Sequence, residues 1–178
     1  NGVSARIADK LGLENCKILA PKSDLLRQLV VYCPTANAET LKTALFEAGA
    51  GTIGDYDQCS FTSIGKGTFR ANDNCTPFVG KIGQNQIENE DRIEVIYPKS
   101  NEKSVLDAMK IAHPYETVAH QIYELENKHQ LVGAGIIGEL NTPVDAQVFL
   151  KSLKLNMQTD CVRYTHLVKK QIKTVAVC

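Results

Sequence analysis

GAGTIGDYDQCSFTSIGKGTFRANDNCTPFVGKIG, residues 49–83, holds seven of the twelve glycines of the chain. Glycine tolerates positive φ and lets backbones approach closely, so tight geometry is concentrated here. Between the glycines stand Ile53, Tyr56, Phe61, Thr62 and Phe69, residues that favour strands, and Pro77 precedes Phe78 and Val79. Flexible Gly/Ser linkers carry no interleaved aromatics, so the stretch reads as a twisted β-segment of two or three interrupted strands, with residues 72–75 as a turn. A phosphate-cradling loop is the competing reading of Gly49, Gly51 and Gly54. Such a loop follows a strand and opens a helix, whereas this one follows a helix and opens a strand.

The sequence on either side frames this segment. Residues 25–33 are nearly continuously apolar apart from Arg27 and Gln28, stop at Pro34, and predict a central strand. Asn37 is placed to cap a helix in which Leu41, Ala44, Leu45 and Ala48 share a face. After the glycines, residues 84–91 are polar and acidic and read as a solvated segment. Residues 92–97 put Ile93, Val95 and Tyr97 on one face of a strand that Pro98 ends. Ser100 is placed to cap a second helix, with Val105, Leu106, Met109 and Ala112 on its apolar face, and Pro114 stops it. A last strand covers residues 118–125. This doubled strand-helix-strand order predicts a ferredoxin-like α+β domain over residues 25–126, with two helices on one face of an antiparallel sheet. The other face lacks a covering layer, so self-association is expected.

The flanks read differently. Val3, Ile7 and Leu11 have helical spacing up to Gly12, residues 16–20 are strand-like, and residues 21–24 (PKSD) break the pattern. Residues 127–130 form a polar hinge. Residues 132–140 predict a strand carrying Gly133, Gly135 and Gly138. Thr142 with Asp145 approximates a capping box, with Pro143 at the first helical position and Val144, Val148 and Phe149 on the apolar face. Residues 161–164 and 172–178 predict strands of a different sheet. The chain opens on Asn1 and stops on the strand-like VAVC, which needs further covering layers, so the sequence is expected to be a segment of a longer protein.

Twenty basic residues balance twenty acidic ones, which argues against a nucleic-acid partner. No apolar run is long enough for a membrane span, and the start lacks the features of a signal peptide. The six cysteines form no C-x-x-C pair, which excludes a zinc knuckle and favours reduced thiols and a cytoplasmic location. His113-Pro114-Tyr115-Glu116 is the one compact cluster of a base, a hydroxyl and a carboxylate. It suits proton transfer or a single metal ligand. The preferred reading is a structural corner, in which Pro114 stops the helix, Tyr115 packs beneath, and His113 and Glu116 make hydrogen bonds. His120, His129 and His166 have no second ligand at metal spacing. No G-x-S-x-G nucleophile pattern is present, and Lys169, Lys170 and Lys173 read as solvated.

Four strings, EAGAGTIGDYDQCSFTSIGKGTF, NDNCTPFVGKIG, AHPYE and GAGIIGEL, together resemble the NGG-interacting-factor-three-like family, whose bacterial members include the GTP cyclohydrolase I type 2 homologues. The resemblance covers nearly the whole chain. It implies a core of two α/β halves carrying a dinuclear metal site, interrupted by an insert similar to CutA and PII-type trimeric folds. Residues 25–126 would be that insert, residues 1–24 the end of the first core half, and residues 127–178 a hinge and the start of the second. The metal ligands of the family lie toward its two ends, so no residue here inherits one. Divalent metal ions are expected of the full-length protein and none of this segment. His113, Tyr115, Glu116, Gly51, Gly54, Gly65 and Gly67 become candidates for an insert-domain cleft or interface, with no catalytic residue among them. The implied partner is self, as trimers through the insert and hexamers in the full-length protein. The implied function is that of a metal-dependent, GTP cyclohydrolase-like hydrolase in which this segment serves assembly. The alternative is a non-enzymatic regulatory or scaffold module that binds a small ligand or a partner at trimer clefts.

Overall fold

The computed structural model describes residues 2–129 and 131–178, so Asn1 and, within the expected hinge, Gln130 lie outside the described residues. In chain order the elements are α1 (Val3–Lys10), β1 (Glu14–Pro21), β2 (Leu26–Pro34), α2 (Ala38–Glu47), β3 (Phe61–Arg70), β4 (Asn85–Pro98), α3 (Glu102–Ala112), β5 (His120–Leu125), β6 (Gly133–Asp145), α4 (Ala146–Asn156) and β7 (Gln171–Val177). They divide into two compact units. One runs from Ser23 to Lys128; the other combines the residues up to Lys22 with those from His129 onward. The chain is therefore a mixed α/β protein with two antiparallel sheets.

In the Ser23–Lys128 unit the sheet order is β3-β4-β2-β5, and every neighbouring pair is antiparallel. The α2 crossover joins β2 to β3 and the α3 crossover joins β4 to β5, each passing over one strand. Side chains alternate across a strand, so Leu29, Val31 and Cys33 of β2 and Ile93, Val95 and Tyr97 of β4 share a face. They pack on Leu41 and Leu45 of α2 and on Val105 and Met109 of α3. Each such fully buried side chain contributes about 1.5–3 kcal/mol. The apolar periodicities of the sequence thus find their partners within this unit.

Several local expectations fail for identifiable reasons. Neither Asn37 nor Ser100 caps a helix by its side chain. Short 3-10 turns at Thr35–Asn37 and Lys99–Asn101 precede both helices and tighten their first turns instead. The glycine-rich stretch yields one strand, β3, preceded by a tight turn bridging Ile53 and Tyr56. The acidic residues 84–91 are not a solvated segment, because all but Gln84 belong to β4, paired from Asn85 opposite Arg70 to Asp91 opposite Ile64. Cross-strand pairing with β3 overrides their poor strand propensity.

The other unit holds the sheet β1-β6-β7. Here Thr142, Pro143 and Val144 do not open a helix; β6 continues through them, with Val144 opposite Ile172 and Asp145 opposite Gln171. Lys173 fastens the bulged stretch by donating to the Leu140 and Asn141 carbonyls. Asp145 itself is the N-cap of α4, its carboxylate accepting from the Gln147 and Val148 N–H groups. Residues 161–164 form no strand. All six cysteines are free; Cys33 is buried and Cys178 exposed.

Two predictions follow from these positions. Asp145→Ala removes a working cap and costs about 1 kcal/mol, whereas Thr142→Ala on the exposed strand stays within about 0.5 kcal/mol; urea midpoints of the two variants in the opposite order would contradict the assignment. Gly51 has φ +79°, and a Cβ there would stand 2.7 Å from the Phe46 ring. Gly51→Val is therefore expected to cost at least about 1–3 kcal/mol in backbone strain alone, and an unchanged midpoint would refute it.

Candidate functional site

Pro114 disfavours helical geometry in the residue before it, so α3 ends at His113, whose backbone is extended (φ −79°, ψ 135°). The turn carries the imidazole into the protein, where it is buried. Its Nδ1 accepts from the Tyr115 N–H at 3.1 Å, which leaves Nε2 to carry the proton and donate to the Tyr32 carbonyl at 2.8 Å. Burial lowers the His113 pKa, partly opposed by the Tyr32 hydrogen bond, so the ring is held neutral. With both nitrogens engaged by backbone, His113 ties the end of α3 to β2 and has no lone pair left for a metal.

Tyr115 packs next to it. Its ring lies 5.1 Å from His113, 5.9 Å from Phe69 edge-on, and 6.1 Å from Phe78, centroid to centroid. Its hydroxyl is buried without a hydrogen-bond partner. Burial pushes its pKa up, and the negative charge of Glu90 adds to the effect. Glu116 Oε1 accepts from the Thr76 N–H at 3.3 Å and holds the loop after β3 against this corner.

Together these groups close a cavity of about 690 Å3 over β3. Gly65, Gly67, Tyr115 and Glu116 all line it, with His113 behind Tyr115. Gly51 and Gly54 are not part of it: Gly51 packs on Phe46, and Gly54 sits in the tight turn between Ile53 and Tyr56. The glycines differ in conformation as well: Gly51 and Gly54 have positive φ, whereas Gly65 and Gly67 do not, and of the two uses of glycine expected in the stretch Gly67 shows the close approach. At Gly67 the missing side chain makes room for the Glu90 carboxylate, which a Cβ would overlap.

Glu90, Arg92, Phe69 and Phe78 also line the cavity and are not anticipated by the sequence reading. Reading residues 84–91 as strand would have placed Glu88, Glu90 and Arg92 on one face. Arg92 is engaged by Glu94, which also accepts from Gln28. Among the described residues, no three His, Cys, Asp or Glu side chains gather in a way that could hold a metal ion. His120 Nδ1 lies 2.9 Å from the Val118 carbonyl oxygen, and His129 Nδ1 accepts from the Leu131 N–H. Among the described residues, no helix is long and apolar enough to cross a membrane.

Fold and cavity thus define a mixed α/β protein of two antiparallel-sheet units, one of them bearing a ligand-sized cleft closed by an aromatic corner. The whole chain, residues 1–178, matches the family model of Duf34/NIF3 (NGG1p interacting factor 3), and the chain belongs to that family. It is 38% identical over 177 residues to a Bacillus subtilis (strain 168) protein named GTP cyclohydrolase 1 type 2 homolog, covering 99% of this chain and 48% of that relative. A Mycobacterium tuberculosis (strain H37Rv) protein of the same name is 39% identical over 155 residues, 86% of this chain and 41% of the relative. The crystal structure of a Bacillus cereus protein related to NIF3 superposes with a TM-score of 0.84 at 36% identity, covering 98% of this chain and 46% of that one. The chain spans about half the length of the curated relatives it matches.

The His113 arrangement makes stability depend on pH in a definite direction. The folded-state pKa lies below the ordinary value of 6.5. Stabilisation by the neutral ring is therefore full above pH 6.5; as pH falls below that value the unfolded chain takes up the proton first and stability declines. His113→Ala is expected to remove this component and to cost about 1–3 kcal/mol at neutral pH through the orphaned Tyr32 carbonyl. Denaturation midpoints that fall equally steeply in variant and wild type between pH 7 and pH 5 would refute the assignment.

Proposed function

We propose that this chain is the assembly-bearing segment of a metal-dependent, GTP cyclohydrolase I type 2-like protein, and that its Ser23–Lys128 unit is a ferredoxin-like, CutA/PII-like insert. The observation that carries this reading is the junction between the units. β1 and β6 pair antiparallel up to Pro21 opposite Gly133. Beyond that pair, Lys22 N–H donates to the Val132 carbonyl and His129 N–H to the Lys22 carbonyl. The chain leaves and re-enters one small sheet at adjacent points, the arrangement that lets one domain sit inside another.

Self-association is the role that fits the insert. The β3–β4 arm carries Ile64 at 82% exposure and Ile87 at 64%. Strand alternation and the register put both on the same face of the arm, where they lie beyond the cover of α2 and α3. Exposed apolar pairs on a protruding arm suit burial against another copy. The metal is a different matter. The described residues do not fit a dinuclear site, so the reading assigns its ligands to parts of the full-length protein outside this chain. No step of the chemistry is assigned to residues here.

Native mass spectrometry of this chain, with metal content measured on the same sample, tests both parts. The expected species is a metal-free trimer that Ile64→Lys with Ile87→Lys converts to a folded monomer. A wild-type monomer at micromolar concentration would remove the assembly role. Stoichiometric bound metal would move the metal site inside this chain.

A further inference from the structure

The cavity over β3 has features that assembly does not call for. Glycine inside a strand weakens it, and such glycines often mark a site where a ligand or another backbone comes close. Gly65 and Gly67 need no positive φ, so backbone geometry does not explain them. At Gly67 the explanation is the Glu90 carboxylate. At Gly65 a Cβ would meet nothing nearer than the Glu90 carbonyl oxygen at 3.9 Å. A side chain there would fit the fold and fill the cavity.

Two carboxylates, Glu90 and Glu116, line the cavity beside neutral polar groups such as Ser63, Asn72 and Thr117, and Glu116 already accepts from the Thr76 N–H. Among the described residues Glu90 has no ion-pair partner. Its carboxylate lies close enough to Tyr115 for its charge to act on the hydroxyl, which remains without a hydrogen bond of acceptable geometry. Two positive side chains at the rim, Lys66 and Arg70, belong to the opposite face of β3 by strand alternation and are exposed, while Arg92 is already held by Glu94. Phe69, Phe78 and Tyr115 supply aromatic surface beside Glu90. A carboxylate only accepts hydrogen bonds, and aromatic faces attract cations, so both groups select the same kind of guest. The volume suits a small molecule.

We infer that this cavity binds a small planar organic cation, its N–H edge on the Glu90 carboxylate and its ring against Phe69, Phe78 and Tyr115. The site lies within one unit of one chain and does not rest on the assembly reading. Benzamidine is the probe, with benzamide as its neutral counterpart, titrated into the full 178-residue chain and followed by ligand-observed NMR. Saturable binding of one benzamidine per chain is expected, with benzamide at least tenfold weaker. Glu90→Gln should weaken benzamidine at least tenfold. Gly65→Val should block it, and Gly65→Ala, the milder change, should weaken it; melting temperatures on the same samples verify that each variant is folded. Absence of saturable benzamidine binding by the wild type would overturn the inference. So would equal affinity for benzamide, or undiminished binding by folded Glu90→Gln or Gly65→Val; should either of these fail to fold, undiminished binding by Gly65→Ala overturns it in their place.

Discussion

A central strand with a fully buried residue on the face that no helix covers is the constraint from which much of the Ser23–Lys128 unit follows. Leu29, Val31 and Cys33 meet α2 and α3, but Val30 points the other way and is still fully buried. Its cross-strand neighbours on that face are Glu94 of β4 and Gln121 of β5. Glu94 is in turn fixed between Gln28 and Arg92. Long polar side chains, bonded along β4 and from β4 to β2, thus do for Val30 what a second helical layer would do elsewhere. The apolar stems of such residues exclude water while their charged ends remain solvated. The same network occupies Arg92 and leaves Glu90, at the neighbouring cavity, without an ion-pair partner among the described residues.

The sequence declares the core of this unit because its signals are strong and local. Leu29 to Cys33, the Ile93-Val95-Tyr97 alternation and the Leu41/Leu45 and Val105/Met109 pairs each bury against one another. What it hides depends on partners distant in sequence. Glu88 and Glu90 look like loop residues until Gly67 and Gly65 stand opposite them. Thr142-Pro143 looks like a helix start, yet pairing of Val144 with Ile172 decides for strand. Arg27 interrupts an apolar run because Glu124, 97 residues on, meets its guanidinium at 2.6 Å.

The corner at His113 shows the same division for the site. Pro114 announces where α3 stops, and the HPYE string marks a compact cluster. Of its two readings the structure supports the architectural one, since both imidazole nitrogens are committed to backbone groups. Phe69 and Phe78, which give Tyr115 its aromatic neighbours, come from the glycine-rich stretch itself. Their contribution is invisible to spacing rules, because no motif links residues on β3, on the loop after it and beyond α3.

The junction at Lys22 and His129 bears on how the chain is made. Pro21 and Gly133 pair although more than a hundred residues separate them, and closing a loop of that size costs about 3 kcal/mol more than closing a four-residue turn. A folded Ser23–Lys128 unit that already holds its ends side by side has met that cost in advance. During synthesis β1 emerges before its partner β6, so their pairing waits until the Ser23–Lys128 segment between them has left the ribosome. The β1–β6 pair is thus made late in synthesis, and a prefolded inner segment shortens the search for it.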